Sequence, residues 1–113
     1  MKDLEVQTYN FAVEGIGLVR SLEKEFPELA SNELKQNIGA VSLKYIDAIE
    51  AKENEDFASN LRACHSCAKK SAELLNELKG ITNENLVNQK EKLINDSKII
   101  IEKLDNIISK LIY

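Results

Sequence analysis

Apolar residues recur at helical spacing along four long stretches of the chain, and three short breaks, around Pro27, Asn54 and Gly80, separate them. In the first stretch Leu4, Phe11, Leu18 and Leu22 form one stripe, while Val6, Tyr9, Val13 and Ile16 form a second. The second stretch places Leu34, Ile38, Val41, Tyr45, Ala48 and Ile49 close to the i, i+3, i+4, i+7 template. The third carries Phe57, Leu61, Cys64, Ala68, Ser71, Leu75 and Leu78 on one side. The fourth carries Leu86, Lys90, Leu93, Ser97, Ile100, Leu104, Ile107 and Leu111, widened by Ile94, Ile101 and Ile108. This pattern predicts an all-α, up-down-up-down antiparallel four-helix bundle, one domain over residues 1–113, with helices at about 3–26, 32–52, 55–79 and 83–112.

Local signals mark the helix ends. Asp3 is a candidate N-cap, and Pro27 stops the first helix because it disfavours helical geometry at the residue before it. Ser31 or Asn32 opens the second helix. Asn54 caps the third, with Glu55 and Asp56 placed where carboxylates suit the helix dipole. Lys79-Gly80 reads as a cation in the last turn followed by a left-handed glycine cap, and Thr82 or Asn83 caps the fourth helix. Gly39, beside Ala40 and Ser42, slims one side of the second helix. Because a helix-interior glycine costs about 1 kcal/mol against alanine, Gly39 is expected to serve a close helix contact.

The second stripe of helix one is more apolar surface than a single four-helix core requires. Val6, Tyr9, Val13 and Ile16 therefore either widen the core-facing surface or meet another subunit.

Charge narrows the partners. The formal net charge is −4, but residues 1–60 hold 6 basic and 12 acidic side chains, whereas residues 61–113 hold 9 and 7. The acidic balance argues against a broad grip on phosphates, which needs clustered cations, and leaves room for a neutral-to-basic face on helices three and four. No apolar run approaches the roughly 20 residues of a membrane span, and the opening Met1-Lys2-Asp3-Leu4-Glu5 lacks the build of a signal peptide. A cytoplasmic protein without membrane association is expected.

No catalytic constellation emerges, and an enzyme is not expected. Cys64-His65-Ser66-Cys67 puts two thiols on one helix face, but mid-helix rather than at an N-terminus, where a redox pair gains its lowered pKa. A structural zinc needs four ligands, and the chain offers two Cys and one His. Both thiols are read as small packing residues, and His65 as a partly exposed surface residue. Asp47 and Glu50 lack the Glu-x-x-His partners of di-iron bundles, and Gly15-Ile16-Gly17 lacks the strand context of a phosphate loop. No cofactor or metal is expected. Lys35, Lys44, Arg62, Lys69 and Lys70 are the candidate cations for a nucleic acid, though aromatic interleaving for base stacking is absent.

The stretch from Leu34 to Leu75 resembles the bacterial four-helix-bundle family named for proteins encoded in 23S rRNA intervening sequences, whose relatives include the accessory variability determinants of diversity-generating retroelements. Leu34-Lys35-Gln36 stands where the family has L-R-R, Ile46-Asp47-Ala48 where it has A-E-G, and Asp56-Phe57 and Leu61 follow at the family spacing. Asp3-Leu4-Glu5-Val6 and Phe26-Pro27 match the family's opening and its exit from helix one. Ser42 replaces the motif's Pro, Lys44-Tyr45 its N-I pair, and Gln36 its second Arg. The resemblance implies a ring-shaped homopentamer, a use for the second stripe of helix one, and a role with nucleic acid or a protein partner. It places Lys35 and Arg62 first among contact residues, with Lys69 and Lys70 next. The expected function is a non-enzymatic oligomeric accessory or scaffold with weak nucleic-acid binding. The alternative is a protein–protein interaction module with no nucleic-acid contact.

Overall fold

The computed structural model describes residues 2–112, so the expected domain limits at Met1 and Tyr113 lie outside it. Four helices follow one another: α1 (Lys2–Glu25), α2 (Asn32–Glu50), α3 (Asn54–Glu77) and α4 (Glu84–Ile108). A short 3-10 turn, Pro27–Leu29, links α1 to α2. Each helix touches the next, α4 returns to α1, and the diagonal pairs do not meet among the described residues. The four therefore stand at the corners of a square, in a body of 45 × 21 × 20 Å. That length suits helices of 24 residues, roughly 36 Å at 1.5 Å per residue.

The core follows the periodicity. Leu4, Phe11, Leu18 and Leu22 of α1 are buried, as are Leu34, Ile38, Val41, Tyr45 and Ala48 of α2. Leu61, Cys64, Ala68 and Leu75 meet them from α3, and Leu86, Leu93, Ile100 and Leu104 from α4. Small groups on the buried face of α3 (Ala58, Cys64, Ala68, Ser71) let it lie against α2, where the Cys64 thiol donates to the Val41 carbonyl at 3.2 Å. Some residues of the expected stripes sit further out, Ile107 and Leu111 of the fourth among them. Ile49 is 39% exposed, and Phe57 and Ile16 are half-buried at the edge of the core.

The helix ends differ from expectation in instructive ways. Asp3 lies inside the first turn of α1, not before it. Asn54 likewise begins α3, and Glu53 occupies the cap position without a side-chain capping bond. Ser31 and Asn83 are true caps, accepting from the backbone N–H of Leu34 and Leu86. Gly80 does take a left-handed φ of 88°, but three residues beyond the last residue of α3, so it turns the connecting loop rather than capping the helix. The cation that serves this helix end comes from α4. Half-buried Lys90 runs its stem along the core and donates from Nζ to the Leu78 carbonyl. α4 stops at Ile108 rather than 112 because its last bonds tighten to i→i+3, from Lys110 to Ile107 and Leu111 to Ile108. α2 closes the same way at Glu50, with Ala51 bonding to Ala48.

Candidate functional site

Helix α1 presents its two stripes to different surroundings. While Leu4, Phe11, Leu18 and Leu22 face inward, Val6, Tyr9 and Val13 are 58%, 60% and 54% exposed. Ile16, the fourth member of the outer stripe, tucks toward α2, where a Cβ on Gly39 would lie 3.8 Å from its Cδ1. α2 adds Ile46 to the same exposed surface, and Leu43 and Ile49 are also exposed on that helix. Between the two helices is an open cleft of about 500 Å³, lined by Asp3, Glu5, Val6, Tyr9, Ser42 and Ile46. Leu43 and Ile46 escaped the sequence reading. Their spacing of three, one step beside the buried Val41, Tyr45 and Ala48, was the available signal.

The seam between α1 and α4 is built differently. Polar side chains bridge it: Lys103 Nζ donates to Gln7 Oε1 at 2.9 Å, and Lys92 Nζ donates to both Glu14 Oε1 and Asp96 Oδ2 at 2.8 Å. Those two carboxylates push the Lys92 ammonium above its usual pKa, the bond from Asp96 contributing most. At the far end of this seam, near the start of α1 and the end of α4, a cleft of about 440 Å³ is lined by Asp3, Leu4, Lys103, Asn106, Ile107, Lys110 and Leu111.

Four of the candidate cations fall into two pairs. Lys35 approaches Glu23 of α1 at 3.9 Å, and Lys70 approaches Glu33 of α2 at 3.5 Å and Glu73 at 3.9 Å. Arg62 and Lys69 are exposed and make no ion pair among the described residues. Seven residues apart, they share a face of α3 with about 10 Å between them along the axis.

The Cys-His-Ser-Cys segment lies mid-helix. Burial, then the neighbouring Cys67, pushes the Cys64 thiol up to about 12, which keeps it protonated and unreactive. Burial also raises Cys67, partly offset by Lys44. His65 is partly exposed, 19% at its side chain, and α4 brings Asp105 Oδ1 to 2.6 Å from its Nε2. No directed hydrogen bond joins the two, so the contact is one of proximity. No three His, Cys, Asp or Glu side chains converge among the described residues. No described helix is long and apolar enough to cross a membrane.

No family model matches the chain, and no curated protein matches it. Among solved structures, it is similar to the crystal structure of a protein of unknown function from the S23 ribosomal protein family of Bacteroides thetaiotaomicron VPI-5482. The two are 24% identical with a TM-score of 0.83, over 95% of this chain and 99% of that one. The likeness establishes the four-helix fold.

Proposed function

We propose that this protein is a non-enzymatic, homo-oligomeric four-helix bundle that serves as an accessory or scaffold. One observation carries the reading. Val6, Tyr9 and Val13 stay more than half exposed on α1, and exposed Ile46 of α2 lies beside Val6 and Tyr9. Covering a side chain of that kind is worth about 1.5–3 kcal/mol when burial is complete. Contiguous apolar surface of this sort marks an interaction site more often than a free face. The resemblance to the 23S rRNA intervening-sequence family favours a second copy as the cover and a ring of five as the assembly. The solved neighbour of the S23 ribosomal protein family agrees in fold. The protein is taken to work in the cytoplasm.

Arg62 and Lys69 support a weak nucleic-acid contact, because acidic neighbours do not already hold them. Lys35 and Lys70 would first have to leave Glu23 and Glu33. The competing reading, an acidic module that binds another protein and no nucleic acid, draws on the excess of carboxylates in residues 1–60.

Size exclusion with light scattering, recorded at 260 and 280 nm, separates these readings. A mass near five protomers is the expected result, and a monomer at all concentrations overturns the proposal. The chain has three Tyr and no Trp, so bound nucleic acid stands out at 260 nm. A contact through two cations should weaken with salt at a log–log slope of about −1.4 to −1.8, and Arg62→Glu with Lys69→Glu should abolish it. An oligomer without that signal favours the protein-binding alternative.

A further inference from the structure

We infer that the oligomer assembles head to tail, with the acidic apolar cleft between α1 and α2 of one copy seated on the basic apolar cleft between α1 and α4 of the next. The inference rests on the oligomer proposed above and names the second half of its interface. An exposed stripe can meet its own two-fold copy, or it can meet a different surface of its neighbour, which generates rings. Charge chooses between them. Among the described residues, the α1–α2 cleft is lined by two carboxylates, Asp3 and Glu5, and by no cation. Two such faces brought together would set carboxylates against carboxylates, a juxtaposition that interfaces avoid.

The α1–α4 cleft supplies what that face lacks. Leu4, Ile107 and Leu111 give it an apolar floor, and Ile112 beyond them is 88% exposed. Lys103 and Lys110 stand over the floor, and neither makes an ion pair among the described residues. Among the described residues, the one hydrogen-bond partner of Lys103 is the neutral amide oxygen of Gln7. Asp3, on the ridge shared by both clefts, is the single carboxylate lining this one.

Placement completes the argument. Both clefts flank the first turns of α1, so they lie at one level along the bundle. Joining surfaces at one level repeats a rotation with little rise, which closes a ring instead of extending a filament. They open on adjacent sides of a square, roughly a right angle apart. The turn between neighbours is the supplement of that angle, so the ring closes after about four or five copies.

Two double variants at exposed positions test this: Val6→Glu with Tyr9→Glu on the first face, and Asn106→Glu with Lys110→Glu on the second. Each should give monomers by light scattering, with a helical circular dichroism spectrum like that of the parent. Mixed at high concentration, they should form a heterodimer of twice the protomer mass, because each retains the surface the other has lost. A parental mass for the second variant, with monomers for the first, overturns the head-to-tail pairing and leaves the proposed oligomer intact. Two monomeric variants that do not combine also overturn the pairing. A parental mass for the first variant removes the oligomer reading itself, and the pairing with it.

Discussion

Two glycines of α1, one residue apart from being neighbours, lie in seams of opposite character. Gly15 faces α2, where a Cβ would collide with Cγ2 of the fully buried Ile38. Gly17 lines the open groove toward α4, where a Cβ would meet nothing within 4 Å. At the level of Gly15 the α1–α2 seam is closed by a side chain packed onto the helix backbone, whereas beside Gly17 the α1–α4 seam is an open groove that Lys92 bridges. Glycine in a helix always carries a propensity cost, so the contrast shows that only the contact, not the residue type, can offset it.

The closed seam should give the larger effects. Ile38→Ala is expected to cost about 2–5 kcal/mol, as buried isoleucine truncations do, read as a fall in the urea midpoint at fixed protein concentration. Gly15→Ala should cost about 1–3 kcal/mol from overpacking, offset by up to about 1 kcal/mol of helix propensity. The double variant sharpens the contrast. The hole left by Ile38→Ala accepts the new methyl, so the pair should cost less than the sum by about 1 kcal/mol. Strict additivity would mean that Gly15 does not touch Ile38 in solution. Gly17→Ala should instead raise stability by about 0.5–1 kcal/mol, with a matching rise in midpoint. A loss there would show that the α4 side closes more tightly than its groove indicates.

How much of this could be read from the chain depends on what periodicity encodes. The spacing of Leu34, Ile38, Val41, Tyr45 and Ala48 identified a buried face because a helix repeats every 3.6 residues, and those five are all fully buried. Periodicity carries no interhelical distance. Gly39 was expected to hold the close contact, but a Cβ there would make only an ordinary 3.8 Å approach to Ile16, and Gly15 takes that role. Helix caps showed the same limit: Ser31 and Asn83 bond as their types suggest, whereas Asn54 and Gly80 are displaced by loop geometry. For the candidate surface, spacing separated Val6, Tyr9 and Val13 from the core stripe, but it could not tell free cations from paired ones. Lys35 and Lys70 are held by Glu23 and Glu33, residues on other helices whose proximity exists only in the fold.

The smallest expected effect belongs to the bridge that spans the open seam. Lys92 meets Glu14 of α1 and Asp96 of its own helix, yet its side chain is 59% exposed, so water screens both contacts. Lys92→Met should therefore cost only about 0.2–1 kcal/mol, less as salt is added. Its pH dependence has a definite sign. The folded ammonium titrates above its usual value because Asp96 and Glu14 hold its proton. The bridge's contribution is then fully present below the unfolded lysine's ordinary pKa of about 10.5 and disappears as pH rises through the higher folded value. The parent and Lys92→Met should thus differ slightly at neutral pH and converge in strong alkali. A gap that instead widened with pH would mean that the groove is closed by apolar contact with the lysine stem, making the α4 seam a looser version of the α2 seam rather than a different kind of joint.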